Sequence, residues 1–96
     1  MTNIQIFNNT QFGQVRAVTI DGEPWFVGKD VAERLGYTNP QKAIRDHVDD
    51  EDKGVNEMFT PGGKQQVPII NESGLYSLVL SSKLPTAKAF KRWITS

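Results

Sequence analysis

Along the chain the spacing of hydrophobic and polar residues changes period, and each change predicts an element. Ile4 and Ile6 alternate with Asn3 and Gln5, the period of two expected of a half-buried strand. Val15-Arg16-Ala17-Val18-Thr19-Ile20 is rich in β-branched residues, and Asp21-Gly22 is a two-residue turn signal. Trp25-Phe26-Val27 then reads as the return strand of a hairpin. From Gly28 the period is helical, with Val31, Ala32 and Leu35 on one face of a helix over 29–35. Asp30 and Glu33 have capping-box spacing, so the helix starts there or a turn earlier, and Gly36 stands where a helix usually ends. Asn39-Pro40 offers an N-cap and a first-turn proline to a second helix that reaches about Val48. Ala43, Ile44, His47 and Val48 share its apolar face, while Gln41, Lys42 and Arg45 lie opposite.

The pattern then repeats. Asp49-Asp50-Glu51-Asp52 reads as a solvated loop. Residues 55–60 and 65–70 read as strands joined by the four-residue turn Pro61-Gly62-Gly63-Lys64. Asn71 caps a third helix with Leu75, Leu78, Val79 and Ser82 along one side, and Pro85 opens a fourth that runs to the end. The expected class is α+β: a first strand, then two β-hairpins alternating with two helix pairs, the first pair resembling a helix-turn-helix. At 96 residues the chain supports one domain over 1–96 and one core.

Composition narrows the function. There is no cysteine, which excludes disulfides, thiolate nucleophiles and cysteine-ligated zinc. One histidine cannot build a multi-histidine metal site, and no cofactor or metal is expected. Strictly apolar runs such as Leu78-Val79-Leu80 stop at three residues, so no membrane partner is expected. Met1 to Ile6 lacks the basic start and apolar stretch of a signal peptide, and the expected location is cytoplasmic. His47, flanked by Ile44 and Val48, is expected to be a packed structural residue rather than a catalytic base. An enzyme is not expected.

Two motif resemblances fail on spacing. A calcium loop begun at Asp49 puts Gly54 at position 6, but places Lys53 at 5 and Thr60 at 12, where oxygen ligands belong. Gly62-Gly63-Lys64 resembles the end of a phosphate-binding loop, but Met58 and Gln65 occupy the positions that need Gly and Ser or Thr.

Two basic features remain. Ala32 four residues before Gly36, a short turn and a second helix have the spacing of a helix-turn-helix. Gln41, Lys42 and Arg45 would be its reading face, and the following hairpin, with Lys64 at its tip, would be its wing. In the last helix Lys88, Lys91 and Arg92 fall on one face, with Ala87, Ala89, Phe90, Trp93 and Ile94 opposite. Lys83 adds charge just before it, and such a stripe can neutralise successive phosphates. Tyr37 and Trp93, if exposed, would suit a partner surface.

These residues also carry a family likeness. Trp25-Phe26-Val27-Gly28-Lys29-Asp30-Val31-Ala32 through Leu35-Gly36-Tyr37, then Asn39-Pro40, Ala43-Ile44 and His47-Val48, resemble the Bro N-terminal domain of phage and prophage antirepressors and baculovirus repeated-ORF proteins. Ile70-Asn71-Glu72-Ser73-Gly74-Leu75-Tyr76, Ser82-Lys83-Leu84-Pro85, Ala87-Lys88 and Phe90-Lys91-Arg92-Trp93 extend the likeness to the end of the chain. It implies a DNA-binding, transcription-regulatory module with double-stranded DNA as partner. A phage repressor and further copies of the chain are the other partners to expect. A protein-interaction module that sequesters a repressor without touching DNA is the alternative. The family pattern normally continues past Trp93-Ile94-Thr95-Ser96, so the resemblance implies a domain cut within its last motif.

Net charge is zero, from eleven basic and eleven acidic side chains, but this is a cancellation. Residues 49–72 hold six acids and two bases, whereas residues 73–96 hold four bases and no acid.

Overall fold

A computed structural model describes residues 4–95; Asn3 and Ser96, used in the readings above, lie outside the described residues. Strands β1 (Ile4–Asn9), β2 (Gly13–Ile20) and β3 (Glu23–Val27) form an antiparallel meander. Helices α1 (Gly28–Arg34) and α2 (Pro40–His47) follow, then a short 3-10 turn at Asp50–Asp52. Strands β4 (Lys53–Thr60) and β5 (Gly63–Ile70) form the second hairpin, and α3 (Glu72–Ser81) and α4 (Ala87–Thr95) close the chain. The α+β class and the alternation of hairpins with helix pairs hold, and the two hairpins merge into one five-stranded sheet ordered β1-β2-β3-β5-β4.

Local chemistry explains most boundaries. Asp21 (φ 51°) and Gly22 (φ 80°) both take left-handed backbone, as the tight turn between β2 and β3 requires. The α1 helix ends in a Schellman arrangement: Gly36 N–H donates to the Glu33 carbonyl (3.1 Å) and Tyr37 N–H to the Ala32 carbonyl (3.0 Å). Gly36 has φ +86°, and a Cβ there would come within 2.8 Å of Leu84 Cγ, so both backbone and space demand glycine. Asn39 Oδ1 caps α2 by accepting from Lys42 N–H (3.1 Å), and Asn71 Oδ1 caps α3 by accepting from Gly74 N–H (2.9 Å). Asn71 also donates from its amide to the Asp52 carboxylate (3.1 Å) and from its backbone N–H to the Asp52 carbonyl (3.1 Å). The acidic segment is therefore more than a solvated loop: its last residue anchors α3.

The helices cover one face of the sheet. Val15, Ala17, Phe26 and Ile70 from the strands meet Val31, Leu35, Ile44, Leu75, Leu78 and Phe90 from the helices in the main core. Phe90 is fully buried, a contribution of about 2–3 kcal/mol relative to exposure. A second, smaller cluster of Val18, Val27, Met58 and Ile69 lies on the opposite face and contains no helix residue. It is buried because the sheet bends: β3 meets β5 only through Phe26–Ile70 and Val27–Ile69. Met58, far along the second hairpin, nonetheless joins Val18 of β2.

Several elements differ from what the residue pattern predicts. Ile4 and Ile6 are exposed: they pair with Val18 and Arg16 on the face of the second cluster, but they stand on the outer strand β1, and that cluster takes in Val18 without either of them; Phe7 is the β1 residue against the core. Asp30 and Glu33 form no capping box. The N-cap of α1 is Val27, without a side-chain bond, and Asp30 is buried against Arg16. His47 is exposed, its ring 5.9 Å from that of Tyr37, because the last position of a two-turn helix lies at the rim of the core. The second hairpin turns through Pro61-Gly62 alone, and α4 starts at Ala87 rather than Pro85. Ala89 is exposed.

Candidate nucleic-acid interface

The second helix of the helix-turn-helix pair presents Gln41, Lys42 and Arg45 to solvent, as expected. Its charge is largely spent internally. Lys42 Nζ is 2.9 Å from Asp46 Oδ2 and Arg45 Nε 3.7 Å from Asp46 Oδ1. The hydrogen bond from Lys42, and then the charges of Lys42, Arg45 and His47, hold the Asp46 carboxyl below the usual carboxylate range.

Lys64 is not the hairpin tip. It is the second residue of β5, faces Phe59, and its Nζ pairs with Glu57 at 3.1 Å. The hairpin still stands beside α2 as a wing would. A groove of about 420 Å³ runs between them, with Thr60, Gln65 and Gln66 on one wall and Lys29, Asn39 and Gln41 on the other. Arg16 also lines this groove. Its guanidinium donates to both carboxylate oxygens of Asp30 (2.9 Å each), and its backbone N–H donates to Oδ2 (3.0 Å). That hydrogen bond, opposed by burial, raises the Arg16 pKa above its ordinary value. Sequence reading missed Arg16 and Lys29. The only signal was a polar residue alternating within β2 and a lysine in the first turn of α1.

Lys88, Lys91 and Arg92 are exposed together on α4, along a groove of about 870 Å³ between α3 and α4. Its apolar lining includes Val79, Leu80, Leu84 and Ala87, and Leu80 is 86% exposed. No carboxylate pairs with Lys88, Lys91 or Arg92 among the described residues. Lys91 Nζ instead lies 5.0 Å from the centre of the Tyr76 ring. The Tyr76 hydroxyl donates to Glu72 Oε1 (2.7 Å), which, with smaller contributions from burial and charge, raises the phenol pKa. Lys83 is exposed in the α3–α4 connection but does not line the groove. Lys88, Lys91 and Arg92 line one groove together and Gln41 lines the other, whereas Lys42, Arg45 and Lys64 line neither.

The α3–α4 connection is fixed to the α1–α2 turn. Ser82 Oγ donates to the Leu35 carbonyl (2.8 Å) and Tyr37 Oη to the Leu78 carbonyl (2.7 Å). Tyr37 and Trp93 are therefore not free partner surfaces. Both are partly buried against the core, Trp93 stacked on Phe12 at 5.7 Å between ring centres. Among the described residues no group of three or more His, Cys, Asp or Glu could hold a metal ion. No helix among them is long and apolar enough to cross a membrane.

These features define a small α+β domain with a helix-turn-helix-like pair, a wing-like hairpin and a separate basic helix face. The chain belongs to the BRO family, N-terminal domain, which matches residues 14–96. A Haemophilus influenzae protein described as an uncharacterized protein is 43% identical to it, covering 76% of this chain and 36% of the relative. Putative Bro-N domain-containing protein 289L of Invertebrate iridescent virus 6 is 38% identical, covering 81% of this chain and 23% of its own. The uncharacterized Bro-N domain-containing protein ORF2 of Autographa californica nuclear polyhedrosis virus is 33% identical, covering 77% and 27%. The chain thus spans between about a quarter and a third of the length of these relatives, whose names state no enzyme activity. No solved structure matches it.

Proposed function

We propose that this domain is a non-enzymatic DNA-binding, transcription-regulatory module of the kind found in phage or prophage antirepressors. It holds the duplex backbone chiefly through Lys83, Lys88, Lys91 and Arg92. The observation that carries this reading is the α4 face: three exposed cations within two turns, with no acid anywhere between residues 73 and 96. Such a face releases counterions when it meets phosphates. Gln41, Lys42, Arg45 and Lys64 take a lesser part, because Asp46 and Glu57 already neutralise their charged members. Gln41, which is uncharged, is the member suited to reading a base edge.

Fluorescence anisotropy with a duplex of generic sequence tests this. Charge reversal of Lys88, Lys91 and Arg92 is expected to abolish binding, while reversal of Lys42 and Arg45 weakens it modestly. Equal binding by the α4 variant would overturn the proposal. The exposed apolar side chains of Leu80 and Leu84 along the α3–α4 groove favour a second reading, a module that binds a phage repressor without contacting DNA. That reading predicts no duplex binding and a stable complex with the repressor.

A further inference from the structure

The open edge of β4 has the hydrogen-bonding parity and side-chain pattern of a strand made to pair with itself. In the β4–β5 ladder Val55 faces Pro68, which has no N–H, so this pair cannot exchange backbone bonds. Antiparallel ladders alternate bonded and non-bonded pairs, so Val55, Glu57 and Phe59 all turn their N–H and C=O groups away from β5. The Asn56 side-chain amide reaches the Glu57 carbonyl on that open side (3.3 Å). The side chains of Val55, Glu57 and Phe59 share one face of the strand. Val55 is 63% and Phe59 79% exposed, and an aromatic ring left this open on an edge strand is a pairing liability unless something covers it.

We propose that two copies of the chain associate by antiparallel β4–β4 pairing about a two-fold axis at Glu57, joining two five-stranded sheets into one. In that register Val55 of each copy faces Phe59 of the other, an aromatic–β-branched cross-strand pair. Lys53 would next face Pro61 of the second copy, whose missing N–H ends the ladder there. The one opposing contact is Glu57 against Glu57 of the second copy. Each is compensated within its own chain by Lys64 (3.1 Å) and by Gln66, whose amide donates to Glu57 Oε2 (3.2 Å). Lys64 thus serves the edge rather than a hairpin tip. Other registers oppose Val55 to Glu57, leave Phe59 without an apolar partner or, with the axis at Phe59, set Val55 against Gly63, beyond the end of β4. The exposed Ile4 and Ile6 of β1 lie on the other edge strand, at the far side of the sheet. This inference does not depend on the DNA-binding reading.

Sedimentation equilibrium of the 96-residue chain from about 10 µM to about 1 mM tests it, since a contact of one strand pair belongs to the weak class of interfaces. A monomer–dimer equilibrium is expected. The double substitution Val55→Lys with Phe59→Lys should weaken it more than about tenfold, and Glu57→Gln should tighten it about three- to fivefold by removing the like-charge pair. Unchanged circular dichroism verifies that these exposed substitutions leave the fold intact. A chain that stays monomeric throughout would overturn the proposal. So would a dimer indifferent to the Val55 and Phe59 changes, or one abolished by Ile4→Lys with Ile6→Lys.

Discussion

Replacing Asp30 with alanine should destabilise the domain by about 2–3 kcal/mol, a large share of the stability of a chain this size. Asp30 is 8% exposed and accepts three hydrogen bonds from Arg16, two from the guanidinium and one from the backbone. Bonds to a charged group contribute about 1.5–3 kcal/mol each, but they do not add. Removing Asp30 also removes the cost of burying a carboxylate, and Arg16, with 33% of its side chain exposed, regains water. The net figure corresponds to a drop in Tm of about 10–20 °C. Urea denaturation at constant m reads it directly. Arg16→Met alone should cost more, about 3–5 kcal/mol, because it leaves a buried carboxylate with one backbone donor. The double variant should then fall short of the sum by about 1–2 kcal/mol. A loss below about 0.5 kcal/mol for Asp30→Ala would place the pair among ordinary surface contacts and refute the reasoning.

Two further expectations follow from single positions. Gly36→Ala should cost about 2–4 kcal/mol, since it meets both a left-handed backbone and Leu84, whereas Gly22→Ala should cost about 1–2 kcal/mol, since a Cβ at Gly22 meets nothing within 4 Å. Equal losses in thermal denaturation would show that the Leu84 contact is immaterial. Asp46 is depressed by Lys42, so its contribution to stability is present above the unfolded carboxylate pKa and is lost as pH falls through the lower folded value. Carboxyl NMR should show Asp46 titrating at lower pH than a free aspartate, and moving upward in Lys42→Met. An unmoved midpoint would contradict the pairing.

What the sequence made legible was local. Asp21-Gly22, Gly36, Asn39-Pro40 and Asn71 announce turns and caps because each acts on backbone groups within a few residues of itself. The α4 stripe was equally readable, being one helix with one period. Contacts across the chain were not. Arg16 and Asp30 lie fourteen residues apart on a strand and a helix, and nothing near Asp30 distinguishes an ion-pair carboxylate from a capping one. The exposed side of β1 depends on how far the second hairpin bends over the sheet, which no alternation of Ile4 and Ile6 reveals. Lys42 and Asp46 did stand at helical pairing distance in the sequence, and their neutralisation of each other shifts weight from α2 to α4.

The central claim is that phosphates are held by α4, and the salt dependence of duplex binding tests it most directly. Contacts from Lys83, Lys88, Lys91 and Arg92 should give a slope of log K against log salt of about −3.6, from about −0.9 per neutralised phosphate. Lys88→Gln, Lys91→Gln and Arg92→Gln together should reduce its magnitude to about 0.9, while Lys42→Gln with Arg45→Gln, whose charges Asp46 already offsets, leaves it essentially unchanged. A slope carried instead by Lys42 and Arg45, or binding that ignores salt, would contradict the account.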